Sequence, residues 1–460
     1  MKNGYDLKRH QDIERAIAIF RDLSAREHWT RRELLHFQNQ QLDSLVRYAI
    51  RHSPFYRELY QSVKTDQPLQ LEDLPVINKE IMMENFDRLV TDPRLKIAEL
   101  YAYIEQLTHD DYYLGEYRVL TTAGSSGLKG IFVFDRTAWS VILASVKRAA
   151  SLMNLPSLEH MRVTSIGSSS PLHMSYRRAV SMESGLQKSQ RLEATTRIEE
   201  LVNELNAFQP EYLHTYPSIA SLLAIEQHEG RLYIQPKVIV TGAEVLTNDM
   251  IKNIREAWKI LPFNAYSATE GVLGVECAYH RGIHVFEDLG IVEVVDEQNR
   301  PVPDGLPGHK LLLTNLYQYT QPLIRYEISD MITISEETCP CRLPFRLISY
   351  IDGRNDDIIY LEGIKGGLVP VPPILFQSPM SVLSEVREYQ VIHKRDGIHI
   401  SLALRGKAQR EETGFRLKDR LKRKLESLLI KCPEIHIEFV DGIERDSQKM
   451  GKVKLVKKDL

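Results

Sequence analysis

Apolar residues recur at helical spacing through the first ~110 residues: Ile13, Ala16, Ile17 and Phe20, then Leu42, Leu45, Val46 and Ile50. Both runs predict amphipathic helices. The second closes near Arg51 to Tyr56, because the residue before Pro54 is pushed out of the helical region. From about residue 115 the period changes. Residues 117–121 and 131–134 read as strands on either side of a loop, which predicts a β-hairpin. A helix over about 136–153 follows, then a strand at 161–166. Next comes a helix with Ile198, Leu201, Val202 and Leu205 on one face. A strand at 212–215, a helix at 218–228, a buried strand at 237–241, a helix at 247–259 and a strand at 261–265 continue the alternation. This rhythm predicts a largely parallel sheet covered on both faces, with ligands at the carboxyl ends of its strands.

Near residue 285 the pattern becomes strand after strand. Residues 291–295, 310–314 and 331–334 are strands separated by Pro/Gly turns, and they predict a β-rich subdomain over about 285–350. A boundary is expected after 350–354. Beyond it lie a hairpin around Asp396 and Gly397, a basic helix over about 410–430 and a strand at 434–440. Leu417, Leu421, Leu425 and Leu428 form the apolar face of that helix. The fold class expected is α/β. A large domain, residues 1–354, carries doubly wound mixed sheets, a helical start over 1–110 and the β-rich subdomain. A small, mobile α+β lid domain takes residues 355–460.

Composition narrows the function classes. Hydrophobic residues make up 43% of the 460-residue chain and charged residues 26%, the balance of a soluble globular protein. A net charge of −3 gives no global field for nucleic acid or an anionic membrane. No apolar run approaches the ~18 residues of a membrane span, and the polar first ten residues lack a signal-peptide core. Four cysteines in so long a chain argue against a disulfide framework. The expectation is a reduced, cytoplasmic protein, monomeric or homodimeric, without nucleic-acid or membrane partners.

The candidate chemistry begins with the loop Thr121 to Gly130, which holds Thr122, Gly124, Ser125, Ser126, Gly127 and Lys129. Hydroxyls, free backbone N–H groups and a cation suit polyphosphate. The stretch lacks the Gly-Lys-Ser/Thr and following helix of a Walker loop. Gly242, Ala243 and Glu244 follow a buried strand, where glycine permits either a left-handed turn or a close approach to a planar ligand. Tyr266, Thr269 and Glu270 sit at another strand end. A carboxylate there suits magnesium, which is held by one or two carboxylates plus substrate phosphates. Asp330 lies between short strands, Arg354 and Asp356 lie in the boundary stretch, and Lys452 lies in a lysine-rich tail. Each also has an ordinary reading as turn, linker or solvated residue.

Taken in order and spacing, these stretches resemble the adenylate-forming superfamily, most closely its phenylacetate–CoA ligase-like branch, which includes deazaflavin-adenylating synthetases. The resemblance spans nearly the whole chain and includes the Leu45 to Tyr56 and Leu74 to Lys79 segments. It implies that the 122–129 loop wraps the ATP phosphates and that Gly242, Ala243 and Glu244 border adenine. Tyr266 would stack on the base, Thr269 touch the α-phosphate and Glu270 bind magnesium. Asp330 would hold the ribose, Arg354 reach phosphate or ribose, Asp356 form the hinge and Lys452 catalyse adenylation. The family pattern is altered at Lys129 and Gly130, which stand where proline and lysine are usual, and at Ser267 and Ser329, which replace glycines. The activity implied is ATP-dependent activation of an aromatic or heteroaromatic carboxylic acid as its adenylate, followed by transfer to CoA or a carrier thiol. AMP transfer, amine acylation and nucleotide binding without turnover are the alternatives.

Cys277, His284, Cys339 and Cys341 fall in the β-rich stretch, with His280 competing for the imidazole place. Thiolate and imidazole sets of four suit closed structural zinc sites. Relatives in the resembled branch carry a similar pattern, and zinc is therefore expected alongside ATP, Mg2+ and CoA.

Overall fold

The computed structural model describes residues 2–63, 67–122, 130–157, 160–183, 187–354, 357–371, 374–381, 383, 385–405, 409–444 and 454–459. Helices α1 (Lys2–Arg26), α2 (Arg31–His52), α3 (Pro54–Leu59), α4 (Lys79–Glu84), α5 (Phe86–Leu89) and α6 (Ile97–Gln106) come first. α2 starts in a capping box: the Thr30 hydroxyl accepts from Glu33 N, and the Glu33 carboxylate accepts from the Thr30 N–H. Its stripe of Leu34, Leu42, Leu45, Val46 and Ala49 is buried. Ser53 caps α3, and Pro54 sits in the first turn, where its missing N–H costs nothing.

The expected hairpin is present. β1 (Tyr117–Thr121) and β2 (Ile131–Asp135) pair antiparallel with Thr121 opposite Ile131. Asp135 then caps α7 (Arg136–Leu152) by accepting from Thr137 N and Ala138 N. The alternation continues as β3 (Arg162–Gly167), α8 (Met174–Met182), β4 (Lys188–Glu193), α9 (Ile198–Phe208), β5 (Tyr212–Thr215), α10 (Pro217–His228), β6 (Val238–Gly242), α11 (Asn248–Trp258) and β7 (Phe263–Ala268). Neighbours in the order β4-β3-β5-β6-β7 are parallel.

The sheet does not stay parallel. Only Thr269 and Glu270 separate β7 from β8 (Gly271–Glu276), and so short a connection forces an antiparallel return. β9 (Ile283–Val285) pairs with β8. The β-rich stretch supplies β10 (Gly290–Val295), β11 (Lys310–Asn315) and β12 (Tyr326–Ile328), which form their own three-stranded sheet. β13 (Asp330–Ile334) was expected with them. It instead ends the large sheet beside β14 (Leu347–Arg354), completing the nine-stranded order β13-β14-β9-β8-β7-β6-β5-β3-β4. Arg148 of α7 and Asp288 clamp helix to sheet, both side chains without solvent exposure, through bonds of 2.9–3.1 Å.

The C-terminal part has the hairpin β15 (Ile359–Glu362) and β16 (Leu368–Val371), then α12 (Ile374–Ser381), β17 (Val386–Lys394), β18 (Gly397–Leu404), α13 (Arg410–Ser427), β19 (Ile435–Phe439) and β20 (Val456–Asp459). Gly397 has φ 139°, and a Cβ there would lie 2.3 Å from Glu434 O. Leu417, Leu421 and Leu425 enter a core shared with Ile359, Val391, Ile400 and Val456. Leu428 does not join them. It lies just past the helix and is 43% exposed, so the leucine face ends a turn earlier than its spacing predicts. Among the described residues no helix is long and apolar enough to cross a membrane.

Candidate active site

The strand ends converge on one cleft of about 390 Å3. Thr122, Gly242, Ala243, Glu244, Tyr266, Thr269, Glu270, Asp330 and Arg354 all line it, so residues up to 232 positions apart in sequence share one space. Gly124, Ser125, Ser126, Gly127, Lys129, Asp356 and Lys452 lie outside the described residues. Thr122 closes the neck of their loop: its N–H donates to Gly130 O and its Oγ1 accepts from Gly130 N, both at 3.0 Å.

Each wall has a local cause. Gly242 ends β6, and a Cβ there would stand 2.7 Å from Ala265 O, so glycine lets β6 approach β7. The left-handed residue is the next one, Ala243, with φ 67°. Glu244 then accepts from Ser218 N at 3.2 Å and ties the turn to α10. Tyr266 lies within β7 and not beyond it, and its hydroxyl donates to Asp330 Oδ2. Asp330 begins β13 directly opposite Arg354, whose Nε donates to Asp330 Oδ1 at 2.9 Å. Asp330 beside it pushes the Arg354 guanidinium further up, and burial together with Asp330 pushes the Tyr266 phenol up.

Glu270 occupies the two-residue turn between β7 and β8. Asn315 Nδ2 donates to its backbone carbonyl at 2.9 Å, which fixes the turn from β11. Burial raises the carboxyl above its ordinary range, and Arg354 and Lys79 act on it through their charge alone. A buried carboxylate that meets no cation among the described residues is chemically suited to a divalent ion.

Several lining residues were missed by the sequence reading. α8 was not anticipated, and with it Arg178; His214, near the end of β5, and Tyr216, which follows that strand and precedes α10, were in or beside expected elements but carried no role. Lys454 reaches the cleft from the C-terminal part and pairs with Asp357. Its position among tail lysines gave no signal.

A second cluster brings Cys277, His284, Cys339 and Cys341 together, with one ligand atom of each within 4.8 Å of all the others. Cys277 Sγ lies 3.6 Å from Cys339 Sγ, and Cys341 Sγ lies 3.2 Å from His284 Nε2. Burial pushes His284 down to about 4 and Cys341 up to about 12. His280 is held elsewhere, bonded to Glu276 at 3.2 Å and stacked on Phe263. β8 leaves the cleft at Gly271 and reaches Cys277 six residues later, so the cluster is roughly 20 Å from Glu270 at strand rise.

No family model matches the chain. A phenylacetate–coenzyme A ligase of Thermus thermophilus is 25% identical over 389 residues, 80% of this chain and 80% of that protein. Protein CapK of Staphylococcus aureus is 23% identical over 430 residues, 89% of this chain and 86% of its own. Among solved structures, 2-hydroxyisobutyryl-CoA ligase in its postadenylation state with R3-HIB-AMP has a TM-score of 0.71 at 20% identity, covering 92% of this chain and 89% of that one. The same ligase in its thioesterification state, with 2-HIB-AMP and CoA, scores 0.58 at 19% identity, covering 94% and 91%.

Proposed function

We propose that this chain, similar in sequence to phenylacetate–CoA ligases and in fold to adenylate-forming CoA ligases, activates a carboxylic acid with ATP and passes the acyl group to CoA. The observation that carries the reading is the meeting of Tyr266, Glu270, Asp330 and Arg354 in one cleft, beside the carboxyl ends of β7 and β14 and the start of β13. The acid's carboxylate attacks the α-phosphorus, the bond to the bridging oxygen breaks, and pyrophosphate leaves with that electron pair. The thiol of CoA then attacks the acyl carbon and AMP departs. Two anions meet in the first step, so the site must align them and neutralise charge.

Asp330 offers its carboxylate to the ribose hydroxyls, held in place by Tyr266 and Arg354. Gly242 and Ala243 border the base, and Thr122 with the loop after it grips phosphate. Glu270 would hold Mg2+, which supplies charge neutralisation at the phosphates. Lys452 is assigned to the α-phosphate oxygen in adenylation, with Asp356 as the pivot of the part that carries it. An aromatic or heteroaromatic acid is the finer reading, supported by Tyr216 and His214 among the residues that line the cleft. Acid-dependent exchange of labelled pyrophosphate into ATP, followed by thioester detection with CoA, tests the function. Exchange with no acid in a broad panel overturns it.

The four-residue cluster is read as a structural zinc site. Its support is the convergence of three thiols and a neutral imidazole, the donor set zinc favours. At its distance from Glu270, these residues fasten the β8–β9 turn to the β13–β14 loop and take no part in the reaction.

A further inference from the structure

Past Gly242 and away from Tyr266, the cleft continues to the end of β5, where His214, Tyr216, Met174, Ser175 and Arg178 line it. β5 lies two strands from β7 in the sheet, so this arm is roughly 10 Å from the Tyr266 end at ordinary strand spacing. Arg178 comes from α8. Its charge acts on Tyr212 and His214, alternate residues that share one face of β5.

The guanidinium of Arg178 has no ion pair or hydrogen bond among the described residues, and no carboxylate acts on it. Its neighbour Arg177 shows the contrast, meeting Asp110 at 3.1 Å, as Arg148 meets Asp288 at 2.9 Å. Burial pushes Arg178 below its ordinary value with nothing to offset it but the Tyr212 phenol. Arg178 is only partly buried and opens onto the cleft, so its guanidinium is available to an anion that enters there. The acids at the other end of the cleft, Asp330 and Glu270, belong to the nucleotide and its metal in the reading above.

We propose that Arg178 receives a second carboxylate of the substrate, so that the acid activated here is a dicarboxylic acid. This rests on the adenylating function proposed above. One carboxylate of the substrate is adenylated. The other, at the far end of the molecule, meets the guanidinium fork, whose parallel N–H donors match a carboxylate's two oxygens. His214, its value pushed down to about 4 by burial and by Arg178, is neutral and lines the same arm, which leaves Arg178 as the cation there.

Pyrophosphate exchange without CoA tests this with acids paired by size: glutarate against pentanoate, and 3-carboxyphenylacetate against 3-methylphenylacetate. The wild-type protein should favour the diacid of a productive pair about ten- to a hundredfold in kcat/KM, the range of a charge-assisted hydrogen bond. Arg178→Met should lose that preference, mainly through KM for the diacid, while exchange with the monoacid is little changed. Arg178→Lys should keep part of it. The Met variant should melt no lower than wild type, since no protein partner is stranded; if it fails to fold, Arg178→Gln takes its place in the same assay. Equal use of monoacids and diacids by wild type, or a diacid preference that survives Arg178→Met, overturns the inference. So does an Arg178 effect confined to the CoA step, which would assign the guanidinium to a phosphate of CoA. Exchange with no acid at all would instead refute the adenylating function.

Discussion

Arg354 Nε donates to Asp330 Oδ1 at 2.9 Å, and the two residues face each other directly across β13 and β14. The Tyr266 hydroxyl takes the other oxygen of the same carboxylate. Asp330 is therefore fixed in place by two strands before any ligand arrives, which lowers the ordering cost of binding a diol. Asp330→Ala should weaken ATP binding by about ten- to a hundredfold, the worth of a hydrogen bond to a charged group. Tyr266→Phe should weaken it less. Isothermal titration with ATP checks both. Unchanged affinity in Asp330→Ala would remove the ribose from this carboxylate.

Glu270→Gln keeps the shape of the side chain and removes its charge. Exchange should fall on the order of a hundredfold or more, the usual loss when one electrostatic contact to the transition state is removed. ATP binding measured without divalent metal should hardly move. Wild-type exchange at low magnesium in this variant would exclude Glu270 as a metal ligand.

Much of this site was readable in the sequence because its residues punctuate strands. Gly242, Tyr266 and Arg354 stand at or near the carboxyl ends of strands, where α/β sheets gather ligands, and Asp330 marks the start of another. The elements that were missed carry no such contrast. β4 is Lys188 to Glu193, a charged edge strand without buried positions, and its polarity protects the edge while hiding the strand. β13 was found as a strand but given the wrong sheet, since local pattern does not say which partner a strand takes. Arg178 was invisible because its meaning lies in the partner it lacks, and a sequence lists residues without their neighbours.

The Cys277, His284, Cys339 and Cys341 cluster makes a prediction separate from catalysis. Protein purified without added metal should carry about one zinc per chain by elemental analysis. Cys339→Ser should lose the metal and lower the melting temperature, and His280→Ala should keep both, since His280 is bound to Glu276. Fully folded, metal-free wild-type protein would reject the site.

Acid should unfold the protein partly through His214. Burial, helped by Arg178, lowers this imidazole to about 4 from the ordinary 6.5. Between those values the unfolded chain binds a proton that the folded chain does not. The stability contributed is therefore complete above about pH 6.5 and is lost as pH falls toward 4, by up to about 3 kcal/mol. Urea midpoints compared at neutral and mildly acidic pH should fall less steeply for His214→Phe than for wild type. Equal slopes would show that His214 titrates normally.

The last prediction separates Lys452 from Lys454. Lys454 lines the cleft, but Asp357 neutralises it and it is 22% exposed. A lysine engaged in that way braces the C-terminal part internally, where it lines the cleft, and has little charge left for a phosphate. Lys454→Ala should thus weaken both half-reactions together, by removing the cation paired with Asp357 beside the cleft. Lys452→Ala should behave differently: ATP still binds, adenylation falls on the order of a hundredfold or more, and supplied acyl-adenylate is still converted with CoA. That asymmetry follows if the lysine is presented for the first half-reaction and withdrawn for the second, a gating role suited to a mobile part. Asp356→Pro should bias the two steps the opposite way, because proline fixes a backbone angle at the proposed pivot. Single-turnover assays of each half-reaction decide the matter. Near-wild-type adenylation in Lys452→Ala with collapse in Lys454→Ala would transfer the role to Lys454. Equal loss of both steps in Lys452→Ala would leave a catalytic lysine and refute the alternation.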